Sequence, residues 1–339
     1  MREDEFTELA AAHQAELRAH CYRILGSVHD AEDALQEALV RAWKGIDRFE
    51  GRASVRSWLY AIATNAALDI ARHRSRREFA VDMGAPAETG AELDAPLTEL
   101  AWLEPYPDRW LTPAGQPTPE ARYEQRESVE LAFVAAVQHL PPLQRAALLL
   151  REVAGFSAAE IAGQLGTSAA SVTSALQRAR VTMAARGPAS SQQSALRTLG
   201  DARTRELVRQ YADAMENGDI AALAGMLASD VTWSMPPVPT WYRGLLPVRD
   251  FLVRYPLTDR WRHRPTGANG QPAVAGYVYD DDAGRFIPAS IDVLTIAPDG
   301  TIAAVTGFLT ADLIGAGEAA SWISGAELFT RFGLPADPP

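Results

Sequence analysis

Apolar residues recur at helical spacing along the first quarter of the chain. Within "DAEDALQEALVRAWKGIDRF", four of them stand at positions i, i+4, i+7 and i+11 of one helix face: Ala31, Leu35, Ala38 and Ala42. Asp30 immediately precedes this face, and we expect it to cap the N-terminus of the helix. A second long helix is predicted over "SVRSWLYAIATNAALDIARHRSRR", after the loop "EGRAS". Residues 5–78 are therefore predicted to be helical.

A second helical block, residues 120–187, ends in "FSAAEIAGQLGTSAASVTSALQRAR", which is typical of a helix-turn-helix. Ser157 and Glu160 have the spacing of a capping box, and Gly166 suits a left-handed turn between two helices. Thr167 or Ser168 is expected to cap the second helix. Its inward positions are Val172, Leu176 and Ala179, and its outward positions are Thr173, Ser174, Gln177 and Arg178, with Arg180 beside them. The pattern alone fits either an ordinary helical hairpin or a DNA-reading motif.

Beyond residue 204 the pattern changes to helices followed by strands. "TRELVRQYADAMENGDIAALAGMLASDVTWSMPP" predicts helix, turn, helix and the start of a strand. "PAVAGYVYDD", "SIDVLTIAPDG" and "IAAVTGFLTA" are predicted strands of an antiparallel sheet, with a hairpin turn at "APDG". This C-terminal part, residues 204–331, is therefore expected to be an α+β domain.

Two segments between these blocks are predicted to be linkers. Residues 80–119 are rich in proline, and residues 81–119 carry one basic and seven acidic side chains. They also hold an aromatic island, "LAWLEPYPDRWL", which is either a docking anchor or a local hydrophobic cluster. The second linker is residues 188–203. The predicted domains are then residues 1–79, 120–187 and 204–331.

The formal net charge of −11 is unusual for a protein that binds nucleic acid unaided, because phosphate contacts supply most non-specific affinity. The single Cys21 cannot form an internal disulfide, which favours a reducing, cytoplasmic location. We expect no membrane span, because no segment approaches the roughly 18 unbroken apolar residues it needs. The histidines lack paired ligand spacing, and no phosphate-binding or nucleophile-elbow motif occurs, so we expect no metal site and no cofactor.

Two blocks together resemble one family. "DAEDALQEALVRAW…SWLYAIATNAALDIARHRSRR" and "LPPLQRAALLLREVAGFSAAEIAGQLGTSAASVTSALQRAR" are similar to regions 2 and 4 of sigma-70-type factors of the extracytoplasmic-function group. They follow the family's order and cover about half of the chain. The resemblance implies two all-α domains, a region 2 helical bundle and a region 4 helix-turn-helix. It also implies a binding protein, not an enzyme, whose partners are promoter DNA and the β′ clamp and β flap of RNA polymerase core.

The resemblance also assigns residues to each contact. The polymerase-binding helix would use Asp33, Gln36, Glu37 and Arg41, a face that would otherwise be interpreted as a solvated acidic surface. Recognition of the −10 element would use the loop Glu50–Ser54 and the helix after it, through Arg52, Arg56, Asn65, Arg72 and Arg74. Recognition of the −35 element would use Thr173, Ser174, Gln177, Arg178 and Arg180. Many relatives carry more Arg or Lys on this reading helix, so we expect a weak upstream contact.

The resemblance also accounts for the low positive charge. Polymerase core supplies much of the basic surface, and two weak DNA contacts on one assembly gain from effective concentration. In the family the segment equivalent to residues 81–119 threads through the polymerase channel. An acidic segment there could act as a nucleic-acid mimic.

Residues 204–331 resemble the SnoaL-like fold, a cone of one curved sheet wrapped by helices. The candidate ligand pocket at its mouth is formed by Trp233, Met235, Trp241, Tyr242, His263, Tyr277 and Asp292. Family enzymes use an Asp or an Asp–His pair as acid and base, and Asp292 with His263 is the pair this sequence offers. Asp292 would equally fit a surface position.

Three roles remain open for this domain, because the fold hosts several. They are catalysis, sensing of a small-molecule ligand, and structural control of the two sigma regions, of which control is favoured. Two rival functions for the whole chain remain. One is a stand-alone helix-turn-helix regulator, and the other is a SnoaL-like enzyme with a helical adaptor.

Overall fold

The computed structural model describes most of the chain, in two compact units. The described residues are 3–49, 51, 53–111, 126–187, 191–315 and 322–337. The first unit comprises residues 1–77 and 110–189, and the second comprises residues 78–109 and 190–339.

The first unit begins with three helices that pack against one another: α1 (Glu3–Leu25), α2 (Val28–Gly45) and α3 (Val55–His73). Ser27 caps α2, because its side chain accepts a hydrogen bond of 3.1 Å from the backbone N–H of Asp30. The predicted Asp30 cap is therefore wrong. Asp30 lies in the first turn and is buried, where its carboxylate accepts hydrogen bonds from Arg74 and Arg77.

Four further helices of the described residues belong to the first unit: α4 (Leu131–Gln138), α5 (Pro142–Leu148), α6 (Ala158–Gln164) and α7 (Ala169–Arg186). A π-helical turn, Leu149–Val153, follows α5. The capping box is confirmed: Ser157 Oγ accepts from the Glu160 N–H at 3.2 Å, and Glu160 Oε2 accepts from the Ser157 N–H at 2.8 Å. Gly166 has φ +62°, and Ser168 caps α7. The predicted inward residues of α7 are all buried: Val172, Leu176 and Ala179.

The second unit is built on a six-stranded sheet in the order β2-β1-β6-β5-β4-β3. The strands are β1 (Leu227–Met235), β2 (Val238–Arg243), β3 (Trp261–Ala268), β4 (Gln271–Asp280), β5 (Arg285–Ile296) and β6 (Ile302–Leu309). β1 and β6 run parallel, and the other neighbours are antiparallel. The three predicted strands correspond to β4, β5 and β6, and Gly300 with φ +87° lies in the predicted hairpin turn. The predicted α+β class is confirmed.

Five helices surround this sheet: α8 (Gln192–Leu199), α9 (Asp201–Asn217), α10 (Ile220–Met226), α11 (Leu245–Arg254) and α12 (Gly325–Phe332). Apolar side chains of α9, α10 and α11 pack with those of the sheet in one core cluster. Each helix contributes at least one buried apolar side chain, for example Tyr211 of α9, Leu223 of α10 and Phe251 of α11. Burial of such side chains stabilises each by roughly 1.5–3 kcal/mol. The sheet thus has a helix-covered apolar face.

Residues 78–109, named the strap from here on, fold as part of the second unit. Backbone hydrogen bonds hold the strap at Ala87 N to Trp241 O (2.7 Å) and at Leu97 N to Pro237 O (2.9 Å). Trp102 is fully buried in a cluster with Ala80 and Trp241. The predicted linker therefore has a folded first part, in which Trp102 of its aromatic island packs against Trp241 of β2. Residues 112–119 of that linker lie outside the described residues.

Candidate nucleic-acid interface and buried cavity

The outward face of α7 is accessible to solvent at the predicted reading positions. Its five side chains are all exposed: Thr173, Ser174, Gln177, Arg178 and Arg180. Thr173 Oγ1 donates to Ala169 O at 2.9 Å, and Arg180 pairs with Glu152 at 2.5 Å. Among the described residues, no hydrogen bond or ion pair engages the side chains of Ser174, Gln177 or Arg178. This face has donors and acceptors of the kind that read base edges.

The predicted polymerase-binding residues also lie together, on the exposed side of α2: Asp33, Gln36, Glu37 and Arg41. Arg41 donates to Glu37 at 2.8 Å and to Asp69 at 3.1 Å. Sequence reasoning missed two apolar members of this helix, Val40 and Trp43, which are 46% and 43% exposed. Val40 stands seven residues after Asp33, so its position was readable from helical spacing. Val40 and Trp43 are three residues apart and so are neighbours on the helix surface, and contiguous exposed apolar patches mark protein-interaction sites.

The predicted −10 residues are arranged differently, because several are engaged inside the first unit. Arg56 is half-buried and donates to Glu16 Oε2 and to the backbone carbonyl of Ala154, both at 3.0 Å. Asn65 donates to Ala61 O at 2.9 Å and to Gln164 O at 3.3 Å. Arg52 lies outside the described residues. Two side chains predicted to touch DNA are thus bound to the helix-turn-helix region of the same unit.

The basic run that follows α3 is divided between surface and core. Arg72 is exposed and pairs with Asp69 at 2.7 Å, and such exposed pairs contribute little to stability, roughly 0–1 kcal/mol. Arg74, 58% exposed, bonds the buried Asp30 at 3.4 Å, and Arg77, 12% exposed, bonds the other oxygen of that carboxylate. Arg72 and Arg74 therefore remain accessible to a phosphate, whereas Arg77 neutralises a buried acid.

Buried polar contacts join helices α1–α3 to helices α4–α7, and we name this set the seam. Arg23 donates to Ser128 O at 3.0 Å, and Gln164 Nε2 donates to Ser57 Oγ at 2.9 Å. Arg145 donates to the backbone carbonyls of Ile24, Gln138 and Leu140. Desolvation is the main cause that lowers the pKa of Arg145 to about 10. These contacts thus fix helices α1–α3 in one position relative to helices α4–α7.

A cavity of about 470 Å³ lies in the second unit. Of the predicted pocket residues, Trp233, Met235, His263 and Asp292 line it. The other three lie elsewhere. Trp241 donates to Gly84 O of the strap at 3.1 Å, Tyr242 stacks on Phe251 at 5.0 Å, and Tyr277 donates to Pro335 O at 3.0 Å.

Asp292 and His263 are both buried, so a surface position for Asp292 is excluded. Asp292 accepts hydrogen bonds from the Tyr211 hydroxyl at 3.0 Å and the Ser290 hydroxyl at 2.9 Å. Burial raises the pKa of Asp292 to about 6, and burial lowers the pKa of His263 to about 4. At pH 7.5 the cavity therefore holds an ionised carboxylate and a neutral imidazole, beside Gly307.

Two other kinds of feature, a metal-binding cluster and a membrane-spanning helix, are absent from the described residues. No group of three or more His, Cys, Asp or Glu in this part of the chain is placed to hold a metal ion. Every helix in the described ranges falls short of the length and apolar character that crossing a bilayer requires.

Family profiles match three stretches of the chain. Sigma-70 region 2 matches residues 9–77, Sigma-70 region 4 matches residues 130–183, and the SnoaL-like domain matches residues 208–305. Each match falls inside the corresponding predicted domain, although the domain boundaries themselves remain a prediction. The three profiles define a sigma-70-type sigma factor with a C-terminal SnoaL-like domain.

Curated relatives extend this result over the full chain. The ECF RNA polymerase sigma factor SigG of Mycobacterium tuberculosis is 38% identical over 339 aligned residues, covering 98% of this chain and 85% of that protein. SigJ of the same organism is 29% identical and covers 80% of this chain and 79% of that protein. The crystal structure of SigJ shares the fold, with a TM-score of 0.55, 22% identity, and coverage of 92% of this chain and 99% of that one. The chain belongs to the extracytoplasmic-function sigma factors.

Proposed function

We propose that the chain binds RNA polymerase core and directs it to promoters, with the SnoaL-like domain as a regulator and not an enzyme. The α2 surface would contact the β′ clamp, helices α4–α7 would contact the β flap, and the protein would act in the cytoplasm with the polymerase. Promoter DNA would be read at the −10 element by α3 with the loop before it, and at the −35 element by α7.

The free face of α7 is the observation that carries the proposal. Ser174, Gln177 and Arg178 stand exposed on the second helix of a capped helix-turn-helix. A single Arg with short polar side chains suits a weak, sequence-selective contact with base edges. The low positive charge of this face is compatible with a subunit that binds DNA together with polymerase.

The engaged state of α3 supports a regulated form of the same function. Arg56 and Asn65 bond to backbone carbonyls of Ala154 and Gln164, which belong to the region 4 half. For these side chains to turn to promoter DNA, their hydrogen bonds to the region 4 half would have to break. We therefore interpret the structure as a closed state, which core binding and the C-terminal domain would bias.

Run-off transcription with purified core on a promoter library tests DNA recognition. Arg178→Ala should reduce use of −35-containing promoters by about tenfold, which corresponds to the roughly 1–3 kcal/mol of a good base contact. Arg209→Ala removes an exposed arginine of α9 and serves as the charge-matched control. Unchanged promoter use in Arg178→Ala would contradict the assignment of the reading face.

A pull-down with polymerase core separates this proposal from a stand-alone DNA-binding regulator. Val40→Asp places a charge on the apolar part of the α2 surface and should weaken core binding at least tenfold. Leu246→Asp alters an exposed leucine of the second unit, 72% accessible, and should leave core binding unchanged. Absence of core binding by the unmodified chain would favour the rival function.

A further inference from the structure

The cavity of the second unit has the size and lining of a small-molecule site. Its volume of about 470 Å³ falls within the roughly 300–1,000 Å³ of ligand pockets. Apolar side chains from several elements dominate the lining, among them Met215, Trp233, Met235, Phe251 and Leu309. An apolar ligand would gain from leaving water here.

Three polar residues of the described lining are buried: His263, Ser290 and Asp292. His263 is 3% exposed, and its Nδ1 has no hydrogen-bond partner among the described residues. A buried nitrogen left unpaired costs about 1–3 kcal/mol, so its presence in a cavity wall requires an explanation. An ionised carboxylate has about four acceptor positions, of which Tyr211 and Ser290 occupy two on Asp292. The buried wall thus has spare capacity for a hydroxyl group.

The charges around the cavity indicate an uncharged ligand. Asp292 would repel a carboxylate or phosphate placed against the buried wall. Arg254 is the cation in the described lining, and it already bonds Asp250 at 2.9 Å and Ala91 O at 2.7 Å. An amine paired with Asp292 would still have to lose its hydration in an apolar space, and the attraction within a buried ion pair often fails to repay that loss.

The strap forms part of the same cavity wall. Leu93, Asp94 and Pro96 line it, together with the exposed Thr258 and Asp259 on the solvent side. Because Asp94, Thr258 and Asp259 are exposed while Asp292 is buried, the strap lies at the mouth.

Two side-chain hydroxyls, those of Thr240 and Tyr255, contact the strap at this point. The Asp94 N–H donates to Thr240 Oγ1 at 2.8 Å, and the Thr240 hydroxyl donates to Asp94 Oδ2 at 2.7 Å. The Leu93 N–H donates to the Tyr255 hydroxyl at 3.4 Å, and Tyr255 itself lines the cavity. The residues that close the strap are thus also residues that would touch a ligand.

We propose that this cavity binds an uncharged, largely apolar small molecule through one hydroxyl group, and that its binding stabilises the docked strap. The hydroxyl donates to Asp292, the apolar body packs on Trp233 and Phe251, and the outer end meets Leu93 and Pro96. Since the strap belongs to the segment that joins region 2 to region 4 in the chain, occupancy limits the span available to those regions. This last consequence rests on the proposed function, whereas binding and strap closure do not.

Calorimetric titration of the full-length protein with 2-naphthol tests the binding site. Naphthalene, which lacks the hydroxyl, and 2-naphthoate, which is anionic, are the matched probes. We expect 2-naphthol to bind and naphthoate to bind at least tenfold more weakly. Asp292→Asn should reduce the preference for 2-naphthol over naphthalene about fivefold, because a neutral acceptor forms the weaker hydrogen bond. No binding of 2-naphthol, or tighter binding of 2-naphthylmethylamine, would overturn the proposed ligand chemistry.

Amide hydrogen exchange at Leu93 and Asp94 tests the coupling. Saturating 2-naphthol should slow exchange at both amides severalfold, because the ligand stabilises the docked strap. The coupling is reciprocal, so the docked strap should also strengthen binding of the ligand. Thr240→Val removes both Asp94 contacts and should speed exchange and weaken 2-naphthol binding by a similar factor. Thr204→Val, which alters a hydroxyl bonded to Gly200 O on α9, is the control.

Binding of 2-naphthol with unchanged strap exchange would overturn the coupling. Failure here is distinguishable from failure of the proposed function, because Val40→Asp should weaken core binding and alters no residue of the cavity lining. A Val40→Asp protein that still binds 2-naphthol shows the two properties to be separate.

Discussion

The two helices predicted to meet promoter DNA, α3 and α7, lie in one unit but in opposite states. The reading residues of α7 are exposed, and Arg178 makes no described side-chain contact. On α3, Arg56 and Asn65 bond to backbone carbonyls of the other half of the unit. We infer from this difference that −35 recognition would require no rearrangement of the protein, whereas −10 recognition by Arg56 and Asn65 would require their contacts with the other half to be released.

The two helices also differ in what surrounds them. The outer side of α7 faces solvent, so its substitutions should affect DNA binding without affecting stability. α3 packs on α1, α2, α5 and α6, so its substitutions should affect both. The predictions below use this contrast.

The largest expected effect is on the buried arginine of the seam. Arg145→Met should destabilise the first unit by about 3 kcal/mol or more, because it leaves buried carbonyl groups of Ile24, Gln138 and Leu140 without their donor. Chemical denaturation measures this change. Arg178→Met, on the exposed face of α7, should change stability by less than about 0.5 kcal/mol. Equal losses in the two variants would remove the distinction between the helices.

The second-largest expected effect is a loss of stability of the first unit at acid pH, caused by a buried histidine that contacts α3. His20 is buried and bonds Thr64 of α3 at 2.8 Å, and burial, with Arg23 and Arg56 nearby, lowers its pKa to about 3. The unfolded chain therefore binds a proton below pH 6.5 that the folded unit refuses, so stability falls as the pH falls from 6.5 toward 3. The loss at pH 4.5 is of order 2–3 kcal/mol.

His20→Gln should flatten that part of the pH profile of the first unit, measured by thermal unfolding between pH 4.5 and 7.5. His29, which is exposed on α2, supplies the control variant His29→Gln. A profile that is equally steep in wild type and His20→Gln would exclude His20 as the cause.

Arg56 should show a mixed effect. Arg56→Ala removes hydrogen bonds to Glu16 and Ala154 O and a cation–π contact with the Tyr60 ring at 4.6 Å. We expect a loss of about 1–2 kcal/mol in stability and a loss of −10-dependent transcription. Denaturant unfolding measures the loss of stability. Transcription from a template that is pre-melted at the −10 element measures the loss of activity. A stability loss with full −10 activity would restrict Arg56 to a structural role.

The smallest effect belongs to the helix-turn-helix cap. Ser157→Ala removes the hydroxyl that caps α6 and should cost about 1 kcal/mol. Promoter selectivity should be retained, because α7 has its own cap at Ser168. A change in −35 preference in Ser157→Ala would show that the orientation of α7 depends on the α6 cap.

Local patterns of sequence predicted the elements and the α7 face. The capping box, the Gly166 turn and the buried side of α7 all depend on residues within four positions of one another, which periodicity can reach. The seam joins residues separated by 98, 99 and 107 positions, and no local rule predicts such pairs. Val40 was missed because an exposed valine has no signal except its place among charged neighbours.

The C-terminal cavity shows the same limit. Alternation along β5 put Asp292 on one face but could not decide between core and surface, which only the packing of Tyr211 and Ser290 settles. Trp241 was predicted to face a pocket because it is a large aromatic in a strand. It is covered by strap residues more than 130 positions earlier in the chain, among them Ala80 and Trp102.

The most direct test of the account is a distance measurement across the seam in the full-length protein. Cys21 is buried, with a thiol pKa raised to about 12, so spin labels attach selectively to His73→Cys on α3 and Gly163→Cys on α6. Pulsed electron–electron double resonance should give one short distance between the two spin labels in the free protein. On addition of polymerase core, that distance should become longer by tens of ångströms. An unchanged distance in the core-bound protein would contradict the claim that −10 recognition requires the seam to open.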